Sequence, residues 1–313
     1  MSLLKRTTIM LWTGLFLANA LCAAPNANTD KGYIFAGPRE VKKTKQIKKG
    51  VHIVAYHQNG VFVSEQSNSP WFQAALFIQG TRIEDAKGKV LQDVALCEAT
   101  DPDGDLNWSI FWRPHGDTGT VSFKLGTGKW EGILGKGHLP GIVRKRADNH
   151  VMPQYKIQWH IDPNDRHILN RTDQYKYHDR GLSFHGPHIE DFSRKLENGT
   201  SLKNNSQSGV LLSENPEAKA PRNFATCYDR GTTINTATGN GDIMLLEDTD
   251  PDGDVVWLCH IWWYGKGPGT YEFLGGIGKW KGITGVGVTQ GMLRGRTDDH
   301  FMLKSEMHWN LPQ

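Results

Sequence analysis

The sequence predicts an all-β protein built as two tandem antiparallel up-and-down β-barrels. Short runs rich in Val, Ile, Phe and Trp are separated by clusters of Gly, Asn, Asp and Pro, 35 glycines are present, and helix-period apolar patterns are scarce. The chain also repeats itself. Asp101-Pro102-Asp103-Gly104-Asp105 returns as Asp250-Pro251-Asp252-Gly253-Asp254, and Gly128-Lys129-Trp130 returns as Gly278-Lys279-Trp280. From Gly119 to Ile161 about 18 of 43 positions match the stretch 150 residues later, which is a domain period and too long for a solenoid unit. Sequential strands joined by short turns must hide their edges, and closure into a barrel does so within one copy.

Taken in order, residues 1–24 have the layout of a secretory signal peptide. Lys5 and Arg6 precede an apolar run from Ile9 to Ala20, with small residues at Ala20, Ala23 and Ala24. The run is too short to span a bilayer stably, so the mature chain is expected in the periplasm or secreted, with no transmembrane segment. Residues 25–50, with Lys42, Lys43, Lys45, Lys48 and Lys49, read as a solvated basic arm. The first barrel repeat is expected over 51–161, with strands at 51–56, 61–64, 71–78, 90–97, 107–113, 120–125, 133–143 and 152–161. Residues 162–205 are polar and read as a connector, part of which, near 182–185, supplies an early strand of the second barrel. The second repeat is expected over 206–313, since Gly60-Val61-x-x-Ser64-Glu65 returns as Gly209-Val210-x-x-Ser213-Glu214.

The net charge is +3 and falls to +1 once Lys5 and Arg6, the only charges in 1–24, are removed. A balance so near neutral makes no electrostatic case for nucleic acid. Beyond Cys22, the cysteines are Cys97, Cys227 and Cys259, none with a counterpart cysteine in the other copy. At most one disulfide could form, so this is no disulfide scaffold.

The Asp-Pro-Asp-Gly-Asp loops have the carboxylate spacing of a calcium site. An EF-hand loop needs a bidentate carboxylate at its twelfth position, however, and counting from Asp248 that position is Cys259. A turn explains the residues directly: Pro presets a dihedral, Asp accepts local backbone N–H groups, and Gly supplies positive φ. No helix pattern follows Gly135 or Gly285, so the glycine-rich segments are not phosphate cradles; they suit barrel corners plugged by Trp130 and Trp280.

The segment Gly119-Thr120 through Gly137, and more fully Gly269-Thr270-Tyr271-Glu272-Phe273-Leu274-Gly275-Gly276-Ile277-Gly278-Lys279-Trp280-Lys281-Gly282-Ile283-Thr284-Gly285, resembles the glycine-rich segment of allene oxide cyclase-like barrels, to which dirigent proteins are related. The resemblance implies an eight-stranded barrel with an apolar cavity, often in an oligomer. In plant cyclases an early strand carries a glutamate that helps orient substrate, followed by a Ser-Pro turn; Ser64-Glu65 with Ser69-Pro70 is similar, while the second copy keeps Ser213-Glu214 without the Ser-Pro pair. A leader peptide departs from plant oxylipin cyclisation.

Arg144-x-Arg146-x-Asp148-Asn149-His150 recurs as Arg294-x-Arg296-x-Asp298-Asp299-His300. On an extended strand these side chains share one face. Asp beside His can raise its basicity, and the arginines can hold an anion; an exposed, cross-strand-paired face ending in a turn explains them equally. The catalytic candidates are therefore Glu65, Glu214, His150, His300, Asp148 and Asp298. The ligand-binding candidates are Arg144, Arg146, Arg294 and Arg296 with Trp108, Trp112, Trp257 and Trp262, of which Trp112 is matched to Trp262. The run from Val255 to Trp263 is apolar on both faces, so the outer wall must be covered by the other barrel or by a second chain. His178, His185 and His188 fall in the connector, where solvent exposure is expected, and neither metal nor cofactor is. The expected function is binding of a small apolar molecule, with cyclase or isomerase activity open. The alternatives are a non-catalytic envelope module and a glycan binder using its indoles.

Overall fold

The structure, a computed structural model, describes residues 27–114, 118–145, 150–162, 172–215, 220–265, 267–295 and 300–312. The leader expected at 1–24 lies outside them. The first half contains β1 (Asn28–Ala36), β2 (Glu40–Lys48), β3 (Val51–Ser64), β4 (Ala75–Asp85), β5 (Val90–Thr100), β6 (Leu106–Arg113), β7 (Gly119–Gly126), β8 (Ile133–Lys145) and β9 (Val151–Ile161). The second contains β10 (Tyr177–His185), β11 (Ile189–Lys195), β12 (Ser201–Ser213), β13 (Ala225–Thr236), β14 (Gly239–Thr249), β15 (Val255–Trp263), β16 (Gly269–Gly276), β17 (Thr284–Gly295) and β18 (Phe301–Asn310).

Neighbouring strands pair antiparallel from β3 to β9, β9 pairs with β1, and β1 returns to the C-terminal half of β3. Eight strands thereby close a barrel, and β2 lies beside the N-terminal half of β3 as a ninth. The second half has the same topology, closed through β10 and β12 with β11 as the added strand. The fold class is as predicted. Several boundaries are corrected. The expected arm at 25–50 contains β1 and β2, because Tyr33, Ile34 and Phe35 pair across to β3, while β2 pairs with β3 yet stays exposed at every residue but Ile47. The connector at 162–205 contains β10, β11 and the start of β12. The strands expected at 51–56 and 61–64 are one, and Trp71 sits in the turn before β4.

The repeated motifs dock on each other. In the first barrel Asp101 Oδ1 accepts the N–H groups of Asp103 and Asp105 at 2.9 and 3.1 Å, while Oδ2 accepts the Trp130 indole N–H at 2.7 Å and faces Lys129 Nζ at 3.0 Å. Asp250 does the same with Asp252, Asp254, Trp280 and Lys279. Gly128 and Gly278, at φ +54° and +64°, lie against the Asp105 and Asp254 carboxylates, where a Cβ has no room. The Asp loop is thus a turn whose carboxylate latches the tryptophan plug. The plug closes the barrel end: Trp71, Trp130 and Trp159 contact one another with ring centroids 4.9 to 6.2 Å apart.

The barrels pack wall to wall. Ile53, Ile83, Val94, Leu96, Trp108 and Ile110 of the first form one buried cluster with Leu202, Ile234, Ile243, Leu245, Trp257 and Cys259 of the second. Of the two coverings expected for the apolar run Val255 to Trp263, the structure shows the partner barrel. The arrangement is pseudo-symmetric. The end of β2 reaches the second Asp loop through a Lys48–Asp254 ion pair, and the turn after β11 reaches the first, where Asn198 Nδ2 donates to the Gly104 carbonyl at 3.2 Å.

Candidate functional sites in two unlike barrels

Registers give the correspondence between copies. Gly32 and Gly181 pair with Ser64 and Ser213, which places Ala36 opposite His185 in the comparison. The same reasoning along the ladders sets Ile78 against Asp229, Leu76 against Cys227, Ala99 against Asp248 and Phe111 against His260. Trp71 and Arg222 hold the same turn, each carbonyl accepting the N–H of the alanine three residues on. The shells are alike, but six apolar interior positions of the first barrel have become polar or ionisable in the second. Burial of such groups is costly without partners, so this divergence, more than the repeat itself, marks a site.

The second barrel holds a cavity of about 340 Å³, lined by the buried His185, Gln207, Asp229, His260 and Tyr271, by Phe301 against His185, and by His188, Asp242, Trp262, Tyr264 and His300 toward its mouth. His185 Nδ1 lies 3.2 Å from Asp229 Oδ2, which also accepts Gln207 Nε2–H at 3.0 Å. Burial pushes the Asp229 carboxyl upward, but His185, Gln207 and Arg222 outweigh it and hold the group below the usual carboxylate range. His185 Nε2 is buried without a hydrogen-bond partner, and the ring stacks on Phe301 at 4.9 Å. Burial pushes His260 down to about 3, so its imidazole is neutral; it stacks on Tyr271 at 4.5 Å and lies 3.3 Å from Thr289 Oγ1. Deeper, Arg222 Nε faces Asp248 Oδ2 at 2.7 Å. Burial raises Asp248 to about 7 against the pull of Arg222. Burial, reinforced by Asp229 and Asp248, lifts Cys227 well above the ordinary thiol range and keeps it protonated. At the mouth Tyr264 donates to Asp242.

The first barrel is filled by Phe62, Trp71, Phe111, Phe123 and Tyr155 and keeps a narrower, mostly apolar cavity of about 100 Å³. At its mouth Asp93, fully buried, accepts from Tyr56 Oη–H at 2.7 Å and from the guanidinium groups of Arg113 at 2.9 Å and Arg39 at 3.3 Å.

Two groups among the described residues bring together atoms able to hold a metal: His185, Cys227 and Asp229 inside the second barrel, and His178, Glu306 and His308 on its outer wall. His185, expected exposed in the connector, is buried because β10 carries it inward.

Of the residues singled out from sequence, Glu65 pairs with Lys31 at 2.7 Å and Glu214 with Lys304 at 2.9 Å, both away from the cavities. The repeated serines beside them have a structural duty: Ser64 Oγ donates to Asp30 at 2.6 Å and Ser213 Oγ to Asp179 at 2.7 Å. His150 is exposed, whereas His300 lines the second cavity's mouth. Asp148, Asp298, Arg146 and Arg296 lie outside the described residues, as do the side chains of Arg144 and Arg294. Trp108 and Trp257 are wholly buried at the barrel interface, and Trp112 packs on Trp257 at 5.8 Å. Trp262 is not the counterpart of Trp112. It pairs with Asp242 as Arg113 pairs with Asp93, and so lines the cavity. Agreement between the copies does not mark His185, Asp229, His260, Arg222 or Asp248; differences between them at alternate strand positions do.

No family model matches the chain, and no curated protein does. A solved structure, a candidate AttH protein from Nitrosomonas europaea, aligns over 96% of this chain and 98% of its own at 11% identity, with a TM-score of 0.12 that carries no argument.

Proposed function

We propose that the second barrel is the working chamber of this protein: it binds a small molecule of mixed polarity and rearranges it by acid–base chemistry, as an isomerase or cyclase. One observation carries the reading, a His185–Asp229 pair in the wall of a 340 Å³ cavity with His185 Nε2 left without a protein partner. Asp229 accepts Nδ1–H, which fixes the tautomer and leaves the Nε2 lone pair to take a proton from substrate. Returning that proton at another atom completes an isomerisation with no co-reactant. His260, neutral, and the Tyr271 hydroxyl are donors for oxygen on which charge develops. The expected apolar ligand suits the walls contributed by Phe301, Leu303 and Met244 but not the polar groups between them. The allene oxide cyclase-like resemblance and the export signal of residues 1–24 belong to the same proposal, an exported enzyme holding one substrate conformer. A glycan-stacking role is disfavoured, because three of the four tryptophans named for it are packed between the barrels.

Native mass spectrometry of protein purified from its own host tests the proposal. Wild type is expected to retain a small molecule that His185→Ala holds more weakly and that Met244→Trp, which fills the chamber, does not hold. Equal retention by all three would place the ligand elsewhere and refute it.

A further inference from the structure

The cavity of the first barrel differs in its chemistry from that of the second. Its cavity narrows onto Trp71, Phe123, Leu76 and Ile157 at the closed end and opens among Arg39, Arg113, Tyr56 and Gln58. The mouth is electrostatically unbalanced. Arg39, Arg82 and Arg113 face Asp93 and Glu84 there; Arg82 pairs with Glu84 at 2.6 Å, and Asp93 must serve both Arg39 and Arg113. Among the described residues one positive charge is left over. The Nε–H groups of Arg39 and Arg113 are both buried without a hydrogen-bond acceptor. Tyr56 adds no negative charge, since burial beside Asp93 raises its phenol far above neutrality. A buried Arg113 and a half-buried Arg39 that share one carboxylate have room, among the described residues, for a second anionic acceptor, and a ligand carboxylate would supply it with two oxygens in the geometry a guanidinium prefers.

We infer that the first barrel binds a short-chain carboxylate, with its anion at Arg39 and Arg113 and its alkyl group directed toward Trp71. The cavity sets the length. An apolar cavity of 150 Å³ accommodates a six-carbon ring, so 100 Å³ suits about four carbons beyond the carboxylate. The second barrel cannot share this specificity, because His188 and Trp262 stand where Arg39 and Arg113 stand in the first.

Isothermal titration of the full chain with acetate, butyrate, isovalerate, hexanoate and decanoate tests the inference, with butyramide and isovaleramide as uncharged controls. Affinity is expected to peak at isovalerate or hexanoate and to fall by about tenfold or more for the amides. Arg39→Met, at the half-exposed arginine, should weaken isovalerate by a similar factor. Ile78→Phe, which fills the cavity from β4, should abolish binding while leaving thermal unfolding within a few degrees of wild type. Amides binding as well as acids, affinity that keeps rising to decanoate, undiminished binding in Ile78→Phe, or no binding of any acid would each overturn it. His185→Ala should leave the titration unchanged, which separates this site from the second chamber.

Discussion

The buried Arg222–Asp248 pair should behave as an exchangeable unit, because the first barrel shows its apolar equivalent. Trp71 and Ala99 occupy the two positions there, and Trp71 packs on Trp130, Trp159 and Phe123. The second barrel keeps the same neighbours as Trp280, Trp309 and Phe273. Asp248→Ala alone leaves the Arg222 guanidinium buried without its paired carboxylate, at a cost of about 3–5 kcal/mol. Adding Arg222→Trp removes that charge and offers the indole a site already shaped by three aromatic rings, so the double variant should recover to within about 1 kcal/mol of wild type or exceed it by about 1–4 kcal/mol. The coupling in the double-mutant cycle should therefore be at least about 2 kcal/mol, read from urea unfolding followed by tryptophan fluorescence and circular dichroism. The pH profile supplies a second readout. The Asp248 pKa is raised in the folded state, so its contribution is fully present below the ordinary carboxylate pKa and is lost as pH rises toward about 7. His260 and His57, lowered by burial to about 3 and about 4, run the other way, with stability lost as pH falls below the ordinary histidine range. Both histidines are common to wild type and double variant, and Arg222 is a minor influence on His260 and Asp229, so the difference between the two profiles chiefly reports the Arg222–Asp248 pair: wild type should lose ground from pH 4 to pH 7. A double variant as unstable as Asp248→Ala, or a difference flat in pH, would refute the reasoning.

Three further outcomes follow. Asp250→Asn turns an acceptor into a donor facing the Trp280 indole N–H and Lys279, and should cost about 2–4 kcal/mol, with Asp101→Asn similar; calcium or a chelator should shift neither melting temperature, and a calcium-dependent shift would restore the metal reading of these loops. Burial works against ionisation of Asp250, but Lys279, the Asp254 N–H and Trp280 outweigh it and hold the folded pKa low, so the wild-type contribution is present above the ordinary carboxylate pKa and disappears as pH falls through the folded value; Asp250→Asn should flatten that acid limb. Trp257→Ala opens a void in the barrel interface and should cost about 3–5 kcal/mol, splitting one calorimetric transition into two if the interface couples the barrels; a single unshifted transition would show that it does not. Lys48→Met, at a rim ion pair with a half-exposed lysine, should change stability by no more than about 1 kcal/mol in the same assay.

The legibility of this chain follows from which groups its strands share. Turn formers and plug residues act through neighbours in sequence or one hairpin away, so Pro102, Gly104, Gly128 and Trp130 announced turns, corners and a closed barrel end, and their recurrence announced a second barrel. The two-faced apolarity of Val255 to Trp263 likewise required a covered wall. Closure itself was less visible. The residues of β1 and β10 acquire their meaning only when they bridge β3 to β9 and β12 to β18, pairings that join segments more than a hundred residues apart at one of their two edges.

The candidate sites depended on the same long-range geometry. Asp229, His185, Gln207 and His260 come from four strands and meet only because the barrel turns their alternate positions inward. Arg39 and Arg113 share Asp93 for the same reason. Local turn chemistry and period-two patterning are properties of contiguous residues, so an all-β chain of two like barrels is written in the order of the amino acids. That the barrels differ inside emerges with folding, because a side chain's environment is set by the strands that close around it, and duplication preserves the shell while leaving the interior free to diverge.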